Sequence, residues 1–315
     1  MKVIISLPAT WLIALLLPVL FCWPRTVSAQ AARQISHDTT VIHKGRLTGV
    51  IVAEGTLYAA SLSGLYFAWY KNYPQSAFHL FNDNREWMQV DKCGHAITAY
   101  YITSIGYSAY RWAGVGEKAS AWYGGLLGFA YMLNIEILDG FSSEWGFSLG
   151  DFTANTIGCA AFIGQQLAWH EQRFRLKYSF HQTQYAQYRP DLLGDNLIQN
   201  MIKDYNGHSY WLSGNISSFL HRGSKFPKWL NIAVGYGAGG MTGAFSNSDA
   251  KNGKPIPEFP RYRKFFLSAD VDLSRIPTRS KLLKGIFSVL GFIKIPAPAL
   301  EYNTLGQFKV HPLYY

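Results

Sequence analysis

The feature that most constrains this chain is a series of three long apolar runs that contain no charged residue. The runs cover residues 94–110, 119–135 and 152–169, and none contains Asp, Glu, Lys or Arg. At 1.5 Å per residue, each run would form a helix of roughly 26 Å, close to the thickness of a bilayer core. Gly, Ala, Ser and Tyr are frequent in these runs, as in helices that pack closely on one another. We therefore expect a bundle of apolar helices, either membrane-embedded or membrane-associated.

Polar clusters lie at the ends of these runs, and helix geometry predicts that they converge. The link over 113–118 is short and contains two glycines, so the helices on either side should be antiparallel neighbours. The loop over 140–150 is too short to form another crossing helix. One end of the bundle should therefore collect the start of the second helix, the end of the third and the start of the fourth. The three clusters are Asp91-Lys92-x-x-His95, Glu136-x-x-Asp139 and Phe147-Ser148-x-x-Asp151.

The residue types in these clusters are those that bind divalent metal ions. Within each cluster the polar residues are three or four positions apart, which places them on one helix face. Four carboxylates this close would raise one another's pKa values unless a cation lay among them. Mixed carboxylate and imidazole ligands suit Zn, Mn or Fe better than Ca. The predicted ligands are Asp91, His95, Glu136, Asp139 and Asp151, with Lys92, Ser148 and Asn155 in supporting positions.

A structural polar network is the alternative interpretation of the same residues. Asp91 and Asp151 occupy positions suited to capping helix N-termini. Glu136 could pair with Lys92, and His95 could donate a hydrogen bond to a carboxylate. Sequence alone leaves both interpretations open.

Residues 1–29 have the pattern of a secretory signal. A positively charged start precedes a Leu-rich core over 11–21, and small residues end the segment at Ala29, where cleavage is expected. Cys22 follows the bulky Phe21, which does not suit attachment of a lipid, so ordinary cleavage is the prediction. The mature chain is therefore expected to be exported to a bacterial cell envelope, at the inner or the outer membrane.

Composition agrees with an envelope setting. Charged residues make up only 15% of the chain and aromatic residues 16%, with a formal net charge of +10. Few charges combined with many aromatics are typical of proteins at a membrane or its interface. Positive charge suits an anionic partner such as membrane lipid or another anionic envelope surface. The basic residues are scattered and no nucleic-acid-binding module is recognisable, so a nucleic-acid partner is not expected.

The expected fold class is α+β. A loose segment over 30–47 leads into a bundle of about four apolar helices over 48–170. Amphipathic linker helices are predicted over 171–205, and period-two alternation predicts a smaller antiparallel β region over 206–315. The clearest predicted strand covers 265–276, and its solvent-facing side is predicted to carry Ser268, Asp270, Asp272 and Ser274.

The polar clusters resemble those of a bacterial family, the YfiM-like predicted periplasmic lipoproteins. The resemblance rests on the three clusters together with Gly158, and it covers the central part of the chain. The Asp91-Lys92-x-x-His95 cluster is also similar, more distantly, to the start of VanZ-like membrane proteins. The family implies an envelope location and no established activity. Its name implies a lipid anchor, and the sequence departs from the family there because of Phe21.

Two hypotheses for function follow. In the first, the protein is a structural or binding component of the envelope, whose polar cluster locks the bundle or holds an anionic head group through Lys92. In the second, it is a metal-dependent hydrolase or transferase that acts on a lipid-linked or phosphorylated envelope substrate. The catalytic candidates in that case are His95, Glu136 and Asp139.

Overall fold

The computed structural model describes residues 41–71, 73–221, 223–251 and 253–315, so the predicted signal peptide lies outside the described residues. The described residues form seven α-helices and an antiparallel sheet, which confirms the α+β class. The helices are α1 Lys44–Leu65, α2 Val90–Trp112, α3 Glu117–Gly140, α4 Leu149–Trp169, α5 Pro190–Leu193, α6 Leu197–Lys203 and α7 Lys281–Val289. The strands are β1 Phe174–Phe180, β2 His208–Asn215, β3 Leu230–Gly239, β4 Ala250–Lys251, β5 Lys254–Pro255, β6 Tyr262–Val271, β7 Ala297–Asn303 and β8 Phe308–Tyr314.

The chain divides into two compact units. One comprises the described residues up to Asn82 together with Ala99–Leu167, and we refer to it as the helical unit. The other comprises Asp83–Thr98 and Ala168–Tyr315, and we refer to it as the sheet unit. The first residues of α2, which carry the Asp91-Lys92-x-x-His95 cluster, therefore belong to the sheet unit.

Glycines bring α2 and α3 into close contact within the helical unit. A Cβ atom on Gly124 would lie 2.5 Å from both the carbonyl oxygen of Thr103 and the amide nitrogen of Tyr107. A Cβ atom on Gly128, one turn further along α3, would lie 3.0 Å from the carbonyl oxygen of Ala99. The two helix backbones therefore approach as closely as the small residues in the apolar runs predict.

In the described part of the chain, no helix combines the length and the apolar character needed to cross a membrane. The membrane-embedded form of the bundle prediction is therefore unsupported. The uncharged runs misled the prediction because Gly, Ser, Thr, Tyr and amide side chains lower their mean hydropathy without adding charge.

The sheet unit is built on six strands in the order β1-β2-β3-β6-β7-β8, with antiparallel neighbours throughout. Strands β4 and β5 form a separate small hairpin. Residues 174–180, predicted as part of a linker helix, are strand β1 instead. Their Phe-Arg-Leu-Lys-Tyr-Ser-Phe sequence alternates, and it pairs with β2 over its whole length. Pairing with a distant strand therefore decided the local structure.

The alternation predicted for β6 is confirmed, but the side predicted to face solvent is wrong. Ser268 and Asp270 are buried, whereas Phe265 and Leu267 are 44% and 43% exposed. Asp270 is accommodated inside because Lys177 lies 2.7 Å from it, and both side chains are fully buried. Alternation fixes which residues share a face, but it does not say which face is covered.

Candidate functional site

A left-handed turn fixes the position at which α2 begins. Trp87, Met88 and Gln89 have φ angles of 45°, 52° and 66°. Such angles cost roughly 1–2 kcal/mol for each residue other than glycine, so other contacts must hold the turn in place. The carbonyl oxygen of Met88 accepts hydrogen bonds from Arg263 Nη1 at 2.8 Å and from the Tyr236 hydroxyl. The sheet strands therefore hold the start of α2 in place.

Asp91 and His95 form a carboxylate–imidazole pair on the first turns of α2. Oδ1 of Asp91 accepts a hydrogen bond from the Tyr205 hydroxyl at 2.7 Å, and Oδ2 lies 3.9 Å from Nε2 of His95. That separation is too long for a hydrogen bond. It is within the span of two ligands that each lie about 2.1 Å from one metal ion. The two side chains are 19% and 17% exposed, so solvent or an ion can reach them.

Lys92 forms an ion pair inside the sheet unit. Its Nζ atom lies 2.8 Å from Oδ1 of Asp83, and the two side chains are 14% and 10% exposed. This contact reduces the charge that Lys92 could offer to an anionic head group. Burial, followed by the nearby carboxylates of Asp83 and Asp91, raises the pKa of Glu86 to about 7. Asp83 and Glu86 were not among the predicted site residues, because they precede the helix and have no regular spacing to Asp91.

Two residues between Asp91 and His95 have packing roles. A Cβ atom on Gly94 would lie 2.9 Å from the Tyr210 hydroxyl, so glycine lets the helix approach the Tyr210 side chain of β2 without displacing it. Burial, together with Asp91, raises the pKa of the Cys93 thiol to about 11. Cys93 therefore stays protonated at neutral pH and does not have the properties of a nucleophile.

The remaining predicted acidic residues lie in the helical unit, where Glu136 and Asp139 each accept a hydrogen bond from a side chain. Glu136 is completely buried, and its Oε1 accepts a hydrogen bond from Nδ2 of Asn155 at 3.1 Å. Asp139 accepts a hydrogen bond from the Tyr70 hydroxyl at 2.6 Å. Burial, together with the charges of Asp139 and Glu136, raises the pKa of Tyr70. Both acids thus take part in a polar network, whereas the pairing of Glu136 with Lys92 stays a prediction.

Ser148 provides the N-terminal cap of α4. Its Oγ accepts a hydrogen bond from the backbone amide of Asp151 at 3.0 Å, which is the geometry of a helix cap. The Asp151 side chain is therefore not needed to cap its own helix. Asp151 is only 5% exposed, so its carboxylate is held away from solvent. The predicted convergence of all three clusters at one end of the bundle stays a prediction.

The fold and site together define a class: an α+β protein in which a carboxylate–imidazole pair lies at the start of a long helix whose residues 96–110 carry no charge. Residues 79–164 match a family model described as predicted periplasmic lipoprotein (DUF2279). The match includes all three polar clusters, and it supports the expected exported envelope location. The narrower resemblances to YfiM-like and VanZ-like proteins stay predictions. No curated protein and no solved structure matches the chain.

Proposed function

We propose that this protein is an exported envelope protein that binds a divalent metal ion through Asp91 and His95. The observation that carries the proposal is the 3.9 Å separation between Oδ2 of Asp91 and Nε2 of His95, which are neighbours without being hydrogen-bonded to each other.

The surroundings of Asp91 support this role. Carboxylates that bind metal ions are usually oriented by a hydrogen bond from an outer partner, and the Tyr205 hydroxyl supplies one to Oδ1. That bond leaves Oδ2 directed toward His95. A carboxylate together with a neutral imidazole is a ligand combination that suits Zn, Mn or Fe.

Glu136 and Asp139 would stabilise the helical unit without binding the ion. Glu136 bonds to Asn155 and Asp139 to Tyr70. Complete burial of Glu136 makes these contacts costly to remove, because a buried carboxylate without its partner is strongly destabilising. The structural hypothesis and the metal hypothesis therefore apply to different residues of the predicted cluster.

A metal-dependent hydrolase or transferase is the second candidate. Catalytic zinc sites keep one coordination position open for water, whereas structural zinc sites do not. The partial exposure of Asp91 and His95 would let water and a substrate reach an ion held by these two residues. A bound ion would lower the pKa of its water, and the substrate would be a lipid-linked or phosphorylated envelope compound.

Metal binding is tested by titrating Zn²⁺ and Mn²⁺ into the purified chain and by measuring metal content after dialysis. We expect one tightly bound ion in the wild type and a loss of affinity of at least about 100-fold in His95→Ala and Asp91→Asn, since each removes a ligand. The matched control is His221→Ala, because His221 is an exposed histidine elsewhere in the sheet unit. Absence of a stoichiometric ion, or equal affinity in all variants, would reject the proposal.

The second candidate needs a separate measurement. Release of phosphate from a polyprenyl diphosphate in detergent would be compared between the metal-loaded wild type and Asp91→Asn. Activity that depends on Asp91 would favour the enzyme. Tight metal binding without any turnover would leave a metal-binding envelope component.

A further inference from the structure

An unbroken row of aliphatic side chains crosses the whole sheet. Each member is directly paired in register with the next, so all six lie on one face. We refer to this as the aliphatic row. Its members, from β1 to β8, are Leu176, Leu212, Val234, Leu267, Leu300 and Val310.

A second row on the same face is aromatic at every position. It lies two residues from the aliphatic row on each strand, and its members are also paired directly from one strand to the next. We refer to it as the aromatic row. Its members, from β1 to β8, are Tyr178, Tyr210, Tyr236, Phe265, Tyr302 and Phe308.

Most of this face is exposed. The start of α2 covers part of the aromatic row, since Tyr210 lies against Gly94 and Tyr236 binds the carbonyl oxygen of Met88. The exposed members are large apolar side chains on neighbouring strands, which makes a continuous apolar patch. Their exposed fractions are 43% for Leu212, 53% for Val234, 43% for Leu267, 41% for Leu300, 67% for Val310, 44% for Phe265, 51% for Tyr302 and 65% for Phe308.

The opposite face of the sheet already supplies the core of this unit. Trp211 and Phe266 are buried there in one apolar cluster. The same face holds the fully buried ion pair between Lys177 and Asp270. The usual one-sided sheet buries its apolar face and exposes its polar face. Here charged groups are inside while aliphatic side chains are outside, so the exposed face is suited to an apolar surrounding.

We propose that the exposed part of the two rows lies on an anionic lipid membrane. The aliphatic row would contact the acyl chains. The aromatic row would lie at the level of the head groups, where Tyr and other aromatic side chains are favoured. A lipid surface fits better than a specific protein surface, because the patch is uniformly apolar along two parallel rows.

Charge complementarity in the same unit supports an anionic surface. Between residues 276 and 300 there is no Asp or Glu, whereas Arg279, Lys281 and Lys284 surround the start of α7. Leu282 on that helix is 72% exposed. A short helix that combines basic residues with exposed leucines is typical of interfacial helices on anionic lipids. The net charge of +10 acts in the same direction.

The experiment measures co-flotation of the full chain with vesicles of phosphatidylethanolamine and phosphatidylglycerol, and with vesicles of phosphatidylcholine alone. The test variant is Val234→Thr/Leu267→Thr/Leu300→Thr, because threonine keeps the preference for strands. We expect the partition coefficient on the anionic vesicles to fall by about tenfold or more. Circular dichroism verifies that the variant is folded.

A matched control removes three exposed apolar side chains from α6 in the same unit: Leu197→Gln/Ile198→Gln/Met201→Gln. Its binding should equal that of the wild type. Lys281→Gln/Lys284→Gln should weaken binding to the anionic vesicles alone, which keeps the proposal testable if the strand variant does not fold.

Three results would overturn the proposal. In the first, the wild type binds neither kind of vesicle. In the second, the folded strand variant binds as well as the wild type. In the third, the strand substitutions abolish self-association in solution while vesicle binding is unchanged, which would make the occupant a second copy of the chain. None of these results depends on the metal site, so the two proposals can fail separately.

Discussion

The hydroxyl of Tyr205 donates a hydrogen bond to Oδ1 of Asp91 at 2.7 Å, although the two residues are 114 positions apart in the chain. This contact ties the first turn of α2 to the segment that precedes β2. It also orients the Asp91 carboxylate so that its other oxygen faces His95. The geometry of the candidate metal site therefore depends on a residue far outside the apolar helices.

Replacement of Tyr205 by phenylalanine should weaken metal binding while the fold is retained. Removing an outer hydrogen bond to a metal ligand typically lowers affinity by about 10-fold or more. The free energy of unfolding should fall by only about 1 kcal/mol, the usual contribution of one hydrogen bond. Competition with a chromogenic chelator measures the affinity. Tyr302→Phe, at an exposed position of β7, is the control, and equal affinity in both variants would contradict the role of Tyr205.

Replacement of Lys177 by methionine should strongly destabilise the sheet unit. Lys177 and Asp270 are both completely buried. The variant leaves the Asp270 carboxylate with a hydrogen bond from the neutral Ser213 hydroxyl at 2.5 Å and with the more distant Lys294 ammonium at 3.9 Å. Removal of one partner from a buried ion pair costs about 3–5 kcal/mol. Denaturant unfolding measures the loss. The control is Lys309→Met. The Lys309 side chain is 47% exposed and its Nζ atom lies 4.0 Å from Glu301, so this variant should change the free energy of unfolding by less than about 0.5 kcal/mol.

Two glycine-to-alanine substitutions should have opposite effects. Gly124→Ala would push a methyl group into the backbone of α2, so we expect a loss of about 1–3 kcal/mol. Gly164→Ala on α4 meets no atom within 4 Å and should stabilise the protein by about 0.5–1 kcal/mol. Thermal unfolding compares the two. A neutral effect at Gly124 would show that α2 and α3 pack less closely than described.

The sheet unit should lose stability in mild acid. Burial lowers the pKa of both His181 and His208 to about 4, from an ordinary value of 6.5. The unfolded chain therefore binds more protons than the folded chain between these values, so stability falls as the pH drops from 6.5 toward 4. For the deeply buried His208 alone, the loss between pH 7.5 and 5 is on the order of 2 kcal/mol.

Denaturant unfolding at several pH values tests this expectation. His208→Gln should reduce the slope of the free energy of unfolding against pH in this window. The control is His221→Gln, which replaces an exposed histidine and should leave that slope unchanged. An increase in stability on acidification would show that the buried imidazoles do not control the pH dependence.

Local patterns were sufficient to predict the three helices of the uncharged runs and the shared helix face of Asp91 and His95. The uncharged runs correspond to α2, α3 and α4, and the four-residue spacing of Asp91 and His95 puts them side by side on α2. The 3.6-residue period of a helix acts over a few residues, so a single sequence contains the information.

Features set by distant residues could not be predicted in this way. No regular spacing in the sequence connects Tyr205 to Asp91. Likewise, nothing in the sequence around Lys177 shows that it pairs with Asp270, which lies 93 positions later. The same limitation explains the inverted sheet. Which face of β6 is covered depends on side chains from other strands, and the alternating pattern is identical in either case.

The left-handed turn before α2 has a consequence for the order in which the chain acquires its shape. The carbonyl of Met88 is held by Tyr236 and Arg263, which follow it by 148 and 175 positions. During synthesis and translocation the motif emerges long before these anchors. A nascent chain that ends before Arg263 would therefore contain the Asp91-Lys92-x-x-His95 motif without the contacts that hold the left-handed turn before it. The site can thus form only once the last third of the chain is being synthesised.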